Sequence, residues 1–146
     1  MEFRRAVVPD AEGIHRLNEA FNGAGATSLE DIRSSLSRPG DEIIVVAEEQ
    51  GQLLGFCCAQ LLQSVCYAEP FGEMTELYTA PQARGRGAAR GMITLVERLL
   101  FERGARSVYL LTEPDNEEAR PLYERCGYGG DEVVMYTRRL PDSRNS

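Results

Sequence analysis

The stretch that most constrains this chain is residues 79–91, a glycine-rich turn between two segments of different periodicity. The run Met74–Thr79 before it reads as a strand, and the run Met92–Arg103 after it places apolar residues on one helical face. A strand that turns through glycines into a helix leaves several backbone N–H groups pointing at one spot, and the helix adds partial positive charge there. Three guanidinium groups would surround an anion at this turn: Arg84, Arg86 and Arg90. The sequence therefore predicts a site for a phosphate or pyrophosphate.

The spacing of the glycines narrows the choice of phosphate ligand. A nucleotide P-loop requires a lysine after the last glycine, and this chain contains no lysine. A dinucleotide turn requires Gly-x-Gly-x-x-Gly, whereas here the third glycine, Gly91, comes one position late. The pattern that fits is Arg-x-x-Gly-x-Ala, with Arg84, Gly87 and Ala89, and it resembles the coenzyme A pyrophosphate loop of the GNAT acyltransferase superfamily. The alternative interpretation is an arginine-rich surface turn that enters a helix.

This resemblance implies which residues would hold acetyl-CoA as the acetyl donor. The pyrophosphate would lie on the loop, and the pantetheine arm would lie along the edge of the preceding strand, where two strands separate. The residues that the resemblance assigns to the cofactor are Leu77, Tyr78, Thr79, Arg84, Gly85, Arg86, Gly87, Ala88, Ala89 and Arg90. It also implies that the backbone N–H at about Tyr78 stabilises the developing oxyanion.

A second segment, residues 116–128, strengthens the resemblance. Asn116, Ala119 and Tyr123 are spaced i, i+3 and i+7, so the pattern predicts that they share one face of a helix that ends at Gly127. This spacing is similar to the Asn-x-x-Ala-x-x-x-Tyr segment of the GNAT superfamily. The resemblance implies that Asn116 and Ala119 face the pantetheine arm and that Tyr123 protonates the departing thiolate. The alternative for Tyr123 is a tyrosine that only packs on the sheet.

Deprotonation of an acceptor amine needs a carboxylate, or a water held by one. Glu73 and Glu76 lie on the strand before the loop and are equal candidates for this general base. Strand alternation places them on opposite faces of the sheet unless a bulge rotates one of them. The alternative is that either one is only a solvated strand residue. The connection before this strand carries an aromatic and acidic set suited to an alkylammonium group: Tyr67, Glu69 and Phe71.

Periodicity predicts a single α/β domain over residues 1–140 and a frayed tail over residues 141–146. The predicted order is βααβββαβαβ, with a mixed, mostly antiparallel sheet flanked by helices on both faces, and this is also the GNAT order. The last predicted strand spans Asp131–Arg139. Pro121 predicts that the helix over 116–125 is short or bent.

Charge and cysteine content limit the partners of this domain. Residues 1–80 hold 5 arginines and 13 acidic residues, a formal charge of −8, whereas residues 81–146 hold 11 arginines and 10 acidic residues, a charge of +1. The acidic half favours a cationic partner and disfavours nucleic acid, although the acidity could also serve only solubility. His15 is the only histidine and no Cys-x-x-Cys occurs, so no metal site is expected. The chain shows neither a membrane span nor a signal peptide, so a cytoplasmic location is expected.

Together these features predict an acetyl-CoA-dependent N-acetyltransferase that acts on a primary amine of a small cationic molecule, such as a polyamine, an aminoglycoside or an amino sugar. One alternative is a peptide or protein N-acetyltransferase, because basic peptides also suit an acidic face. Another is a CoA-binding sensor module without catalysis. The sequence does not show whether the chain forms a homodimer.

Overall fold

The computed structural model describes residues 1–38 and 40–142, which contain one five-stranded sheet and four α-helices. The strands are β1 (Glu2–Arg5), β2 (Glu42–Glu49), β3 (Gln52–Leu62), β4 (Phe71–Thr79) and β5 (Val108–Leu110). The helices are α1 (Ala11–Asn22), α2 (Leu29–Ser37), α3 (Ala88–Glu102) and α4 (Ala119–Arg125). Short 3₁₀ turns at Val8–Asp10 and Pro81–Ala83 precede α1 and follow β4.

The strand order in the sheet follows the chain, and the pairings from β1 to β4 are antiparallel. β5 pairs with β4 in parallel, so the predicted mixed, mostly antiparallel sheet is confirmed. A two-residue turn joins β2 to β3, in which Gln50 (φ 52°) and Gly51 (φ 78°) both adopt the left-handed conformation that such a hairpin requires.

Helices cover both faces of the sheet, as predicted. The core beneath α3 contains the buried residues Ile43, Val45, Ala47, Met92, Ile93, Val96 and Leu100. The core beneath α1 contains the buried residues Ile14, Leu17, Val46, Leu53 and Phe56. β2 contributes to both cores because successive strand residues point to opposite faces, which explains why its sequence is apolar without alternation.

Gly91 in the first turn of α3 serves packing. A Cβ at this position would overlap the ring of Phe3 from β1. The glycine that comes one position late for a dinucleotide motif therefore allows α3 to lie close against the sheet.

The predicted closing strand Asp131–Arg139 is wrong: residues 128–142 form neither helix nor strand. Val133, Val134 and Tyr136 in this segment are 73%, 73% and 93% exposed. Such residues favour a strand, but a strand forms only by pairing with a neighbour. A cavity of about 970 Å³ lies between the start of this segment and β5, so the observed order is βααβββαβα.

The prediction of a short helix around Pro121 is confirmed, because α4 has only seven residues. The boundary of the domain at residue 140 stays a prediction, and residues 143–146 of the predicted tail lie outside the described residues. Within the described part of the chain, no helix has the length and apolar character needed to cross a membrane.

Candidate active site

A β-bulge in β4 changes the register of this strand. The pairing moves by one residue on β3, from Cys58 to Ala59, while it moves by two on β4, from Glu76 to Met74. Thr75 is therefore the extra residue, and its hydroxyl donates to the Cys58 carbonyl at 3.2 Å.

The bulge brings Glu73 and Glu76 onto one face of the sheet. Met74 and Leu77 both pack in the core beneath α3, although they are three residues apart on the strand. Since side chains alternate on either side of the bulge, the two glutamates both lie on the opposite face, which α1 and α2 cover. The sequence left this point open, and the structure places both carboxylates on the same side.

One edge of β4 is free beyond the bulge. β5 pairs only with Gly72–Met74 and ends at Leu110. Among the described residues, no strand therefore lies beside the edge of Thr75–Thr79 that faces away from β3. Backbone groups on this edge are available to a ligand, as expected for a place where two strands separate.

The backbone N–H groups on this free edge belong to Leu77 and Thr79. The Ala80 N–H donates to Leu54 O of β3 at 2.8 Å. Alternate residues of an antiparallel strand face the same neighbour, so the Tyr78 N–H also faces β3 and belongs to the ladder. The Tyr78 N–H itself is therefore not available to an oxyanion, whereas the N–H groups of its neighbours Leu77 and Thr79 are on the free edge.

The loop after β4 forms an open cradle of backbone amides. Gly85 and Gly87 have φ values of 75° and 85°, in the left-handed region that favours glycine. The first internal bond of α3 runs from the Gly91 N–H to Gly87 O at 3.0 Å, so the amides of Ala88–Arg90 have no partner within the helix. No side chain caps this helix, and a Cβ built at Gly85 or Gly87 meets nothing within 4 Å.

The three arginines of the loop differ in their contacts. Arg84 Nε donates to Thr79 O at 3.2 Å and ties the loop to the end of β4. Arg86 donates from one nitrogen to both carboxylate oxygens of Glu49 at 2.7 Å. Arg90 makes no ion pair or side-chain hydrogen bond with any residue that the structure describes. Arg84 Nη1 also lies 3.6 Å from Glu118 Oε1, so Arg84 and Arg86 both have protein partners. The arrangement of all three arginines around a bound anion stays a prediction.

Tyr123 extends from α4 into the core beneath α3 and is half-buried. Burial raises the pKa of Tyr123, and the nearby Cys57 thiol raises it further. Tyr123 packs against the core that also contains Cys57 and Leu77, which pair across β3 and β4. A phenol with a raised pKa stays protonated at neutral pH, as a proton donor to a thiolate must.

Asn116 is not on the helical face that its spacing predicted. α4 begins at Ala119, and the Ala119 N–H donates to Asn116 Oδ1 at 3.1 Å. Asn116 Nδ2 donates to Thr112 Oγ1 at 3.3 Å. These bonds order the start of α4, and contact of Asn116 and Ala119 with a pantetheine arm stays a prediction.

Glu42 is a further carboxylate on the α1 face that sequence reasoning missed. Burial raises its pKa, and the charge of Glu76 raises it further. Burial also raises the pKa of Glu76. The Cys58 thiol lies between the two carboxylates, and burial together with their negative charges raises its pKa. The alternation of side chains along β2 would have placed Glu42 on the same face as Ile44. The approach of Glu42 to Glu76 depends on the register of β2, β3 and β4 and on the bulge in β4, which the sequence does not show.

The other residues predicted to receive the acceptor do not form one pocket. Tyr67 is 71% exposed and lines a hollow of about 280 Å³ that neither Glu69 nor Phe71 lines. The Phe71 ring lies 5.5 Å from the ring of Tyr109. Burial raises the pKa of Tyr109, and the charge of Glu73 raises it further, which places Glu73 beside β5.

The 970 Å³ cavity is not at the glycine loop, and Tyr123 is the only predicted site residue that lines it. The Tyr128 hydroxyl is buried and lacks a hydrogen-bond partner among the described residues. Within residues 1–38 and 40–142, no group of three or more His, Cys, Asp or Glu side chains is arranged to hold a metal ion.

The loop has the features that a diphosphate group needs. The amides of Ala88–Arg90 are free of helical partners, and the two glycines leave open space above them. Thr79 Oγ1, at the end of β4, is buried without a partner among the described residues, so it can bond a ligand that lies along this edge.

Comparison with known proteins decides the family. The model of the acetyltransferase (GNAT) family matches residues 11–128, which is most of the chain. The chain belongs to the GNAT acetyltransferase family. As a family member it is an acetyl-CoA-dependent acetyltransferase, and its fold is the predicted one except for the missing closing strand.

Curated relatives cover the whole of this GNAT domain. The chain is 31% identical over 147 residues to the uncharacterized N-acetyltransferase YhfO of Bacillus subtilis (strain 168), and the alignment covers 97% of this chain and 99% of that relative. It is 30% identical over 146 residues to the mycothiol acetyltransferase of Amycolatopsis mediterranei (strain U-32), which covers 92% of this chain but 48% of that relative. The chain therefore spans about half the length of the mycothiol enzyme.

Solved structures share the fold at lower identity. An aminoglycoside acetyltransferase from an uncultured soil metagenomic sample, in complex with sisomicin, has a TM-score of 0.82 at 17% identity over 96% of both chains. The aminoglycoside N-acetyltransferase AAC(6')-Iy in complex with CoA has a TM-score of 0.79 at 21% identity, over 95% of this chain and 100% of that chain. These structures support the GNAT fold.

Proposed function

We propose that this acetyltransferase moves an acetyl group from acetyl-CoA to a primary amine of a small cationic molecule, such as a polyamine, an aminoglycoside or an amino sugar. The observation that carries the proposal is the bulge at Thr75. It sets Glu73 and Glu76 on one face of the sheet, with Glu76 on the free stretch of β4 that leads to a loop suited to a diphosphate.

The loop amides of Ala88–Arg90 would hold the diphosphate of the cofactor, and the free edge at Leu77 and Thr79 would hold its pantetheine arm. When bound, acetyl-CoA supplies an activated thioester. The Leu77 or Thr79 N–H would stabilise the oxyanion that develops on the thioester carbonyl. Tyr123 would return a proton to the departing thiolate.

We assign the general base to Glu76, directly or through water. An alkylamine resembles lysine, with a pKa of about 10.4, so it arrives protonated at neutral pH and must lose a proton before it attacks. Glu76 is next to Leu77, and burial raises its pKa, which makes it a better proton acceptor. Glu73 is three residues further along β4, beside Tyr109, and is assigned to attracting the cation.

The acceptor face supports a cationic amine. Glu42, Glu73 and Glu76 lie on the face of the sheet that α1 covers, and aromatic rings lie on it too. Phe21 of α1 stacks on Tyr78 of β4 with ring centroids 5.1 Å apart. Carboxylates and aromatic faces together suit an ammonium group. Its neighbours include an aminoglycoside acetyltransferase and a mycothiol acetyltransferase, whose names refer to small molecules. These names agree with a small acceptor.

A panel of acceptors tests this proposal through thiol release from acetyl-CoA. The panel holds polyamines, aminoglycosides, amino sugars, neutral hydroxyl isosteres of the same molecules, and basic peptides. We expect turnover with cationic small molecules only. Turnover with peptides alone would establish the peptide N-acetyltransferase instead, and CoA binding without turnover would establish a sensor module.

We also propose a cytoplasmic location for this enzyme. Cys57, Cys58, Cys66 and Cys126 form no disulfide, which suits a reducing compartment. Detection of the tagged chain in a fractionated cell, by immunoblot, tests this location.

A further inference from the structure

Arg86 of the glycine loop is held by a carboxylate from the end of β2, at the same end of the sheet as the loop. Its Nη2 donates to both oxygens of Glu49, each at 2.7 Å, and Glu49 is the last residue of β2. The amino group of Met1 lies 3.7 Å from the same carboxylate. Both partners of the Glu49–Arg86 pair are partly exposed, at 31% and 46%.

The position of Arg86 makes this contact significant for the ligand. Arg86 lies between Gly85 and Gly87, the two left-handed residues of the amide cradle. A guanidinium at this point is within the loop that would receive a diphosphate, and arginine is well suited to phosphate oxygens. The Nη2 atom that donates to both oxygens of Glu49 cannot donate to a phosphate at the same time, so a phosphate that binds Nη2 must displace the carboxylate.

We infer that Glu49 sets the affinity of the loop for CoA by competing with a phosphate group of the cofactor for Arg86. The inference rests on the proposed cofactor site. In the free protein the carboxylate holds Arg86 and lowers the net positive charge of the loop. In the complex a phosphate oxygen takes the place of the carboxylate, and Glu49 is released to solvent.

The other loop arginines support this division of roles. Arg84 donates to Thr79 O and positions the loop, and its ion pair with Glu118 is longer, at 3.6 Å, than the pair of Arg86 with Glu49. Arg90 has no competing acid among the described residues. The Glu49 carboxylate is charged at neutral pH, as Arg86 lowers its already acidic pKa, and it repels an incoming phosphate. Loss of the Glu49 charge therefore both frees a cation and removes an anion from the cradle.

Calorimetric titration of CoA into Glu49→Gln tests the inference. Exposed ion pairs are weak, so we expect a gain in CoA affinity of about two- to fivefold over the wild type. Glu12→Gln is the matched control, because Glu12 pairs with Arg33 at 3.2 Å on the exposed α1–α2 surface, and it should leave CoA affinity unchanged.

Arg86→Ala completes a double-mutant cycle with Glu49→Gln. If Glu49 and phosphate compete for Arg86, Arg86→Ala lowers CoA affinity more in the Glu49→Gln background than in the wild type. Dephospho-CoA shows which phosphate is contacted: a gain that persists with it assigns Arg86 to the pyrophosphate, and a gain that disappears assigns it to the 3′-phosphate.

The results that overturn the inference are specific to it. Equal or weaker CoA binding by Glu49→Gln, with a wild-type protein that binds CoA, means that the Glu49–Arg86 pair persists in the complex and only orders the loop. Additive effects in the cycle have the same meaning. Failure of the wild type itself to bind CoA would instead refute the proposed cofactor site, and the inference with it.

Discussion

Replacement of Gly87 by valine gives the most informative perturbation of the proposed cofactor site. Gly87 has φ 85° at the N-terminus of α3, and a Cβ there meets no atom within 4 Å. The cost to folding is therefore backbone strain without a clash, roughly 1–2 kcal/mol for an L-residue in the left-handed region. In a domain of this size such a loss lowers Tm by about 2–8 °C.

The cost to binding should be larger than the cost to folding. The new side chain fills the space through which a diphosphate would approach the amides of Ala88–Arg90. Hydrogen bonds to a charged group contribute about 1.5–3 kcal/mol each, so loss of two of them weakens binding by about 3 kcal/mol or more. That corresponds to a CoA affinity lowered about 100-fold or more.

Gly25→Val is the matched control for this experiment. Gly25 has φ 87°, also has nothing within 4 Å of its Cβ, and lies in the loop between α1 and α2. Both variants should lose similar stability in a thermal melt, but only Gly87→Val should lose CoA affinity by calorimetry. Unchanged CoA affinity in Gly87→Val would refute the assignment of the loop to the diphosphate.

Three further predictions concern the catalytic residues. Tyr123→Phe keeps the ring packing and should lower turnover about 100-fold with little change in CoA affinity; a wild-type rate would make Tyr123 a packing residue. Glu76→Gln should remove the rising limb of kcat/KM against pH, a limb that lies above the ordinary carboxyl range because burial raises the pKa of Glu76; a retained limb would assign the base elsewhere. Asn116→Ala should lower stability by about 1 kcal/mol through loss of the bond at the start of α4; lower CoA affinity with an unchanged melt would restore its role towards pantetheine.

The sequence predicted the parts of the fold that depend on local pattern. Glycines at 85 and 87, followed by the amphipathic run of α3, defined the loop because left-handed turns and helical faces are encoded within a few residues. Pro121 similarly predicted the short α4. The strand Asp131–Arg139 was predicted from the same kind of pattern and was wrong, because a strand also needs a partner.

The parts that the sequence could not provide depend on register. The extra residue Thr75 shifts every later side chain of β4 to the other face of the sheet. A threonine at this position does not by itself predict a bulge. Two contacts join residues that are far apart in the chain: Glu42 lies close to Glu76, and Arg86 donates to Glu49. Such contacts follow only from the assembled sheet.

Salt dependence checks the role of the acidic face. Long-range attraction between exposed charges is screened beyond about 8 Å at physiological ionic strength. We therefore expect kcat/KM for a cationic acceptor to fall as salt is added, while kcat changes little. A kcat/KM that is indifferent to salt would mean that the charge of −8 on residues 1–80 serves solubility.

Mapping of backbone amide shifts by NMR on addition of CoA tests the central claim most directly, because it shows where the cofactor lies without requiring a known acceptor. We expect the largest changes at Ala88–Arg90 and at the free edge of β4, Leu77 and Thr79. Changes centred instead on the 970 Å³ cavity, at Tyr109 and Tyr128, with the loop amides unmoved, would contradict it.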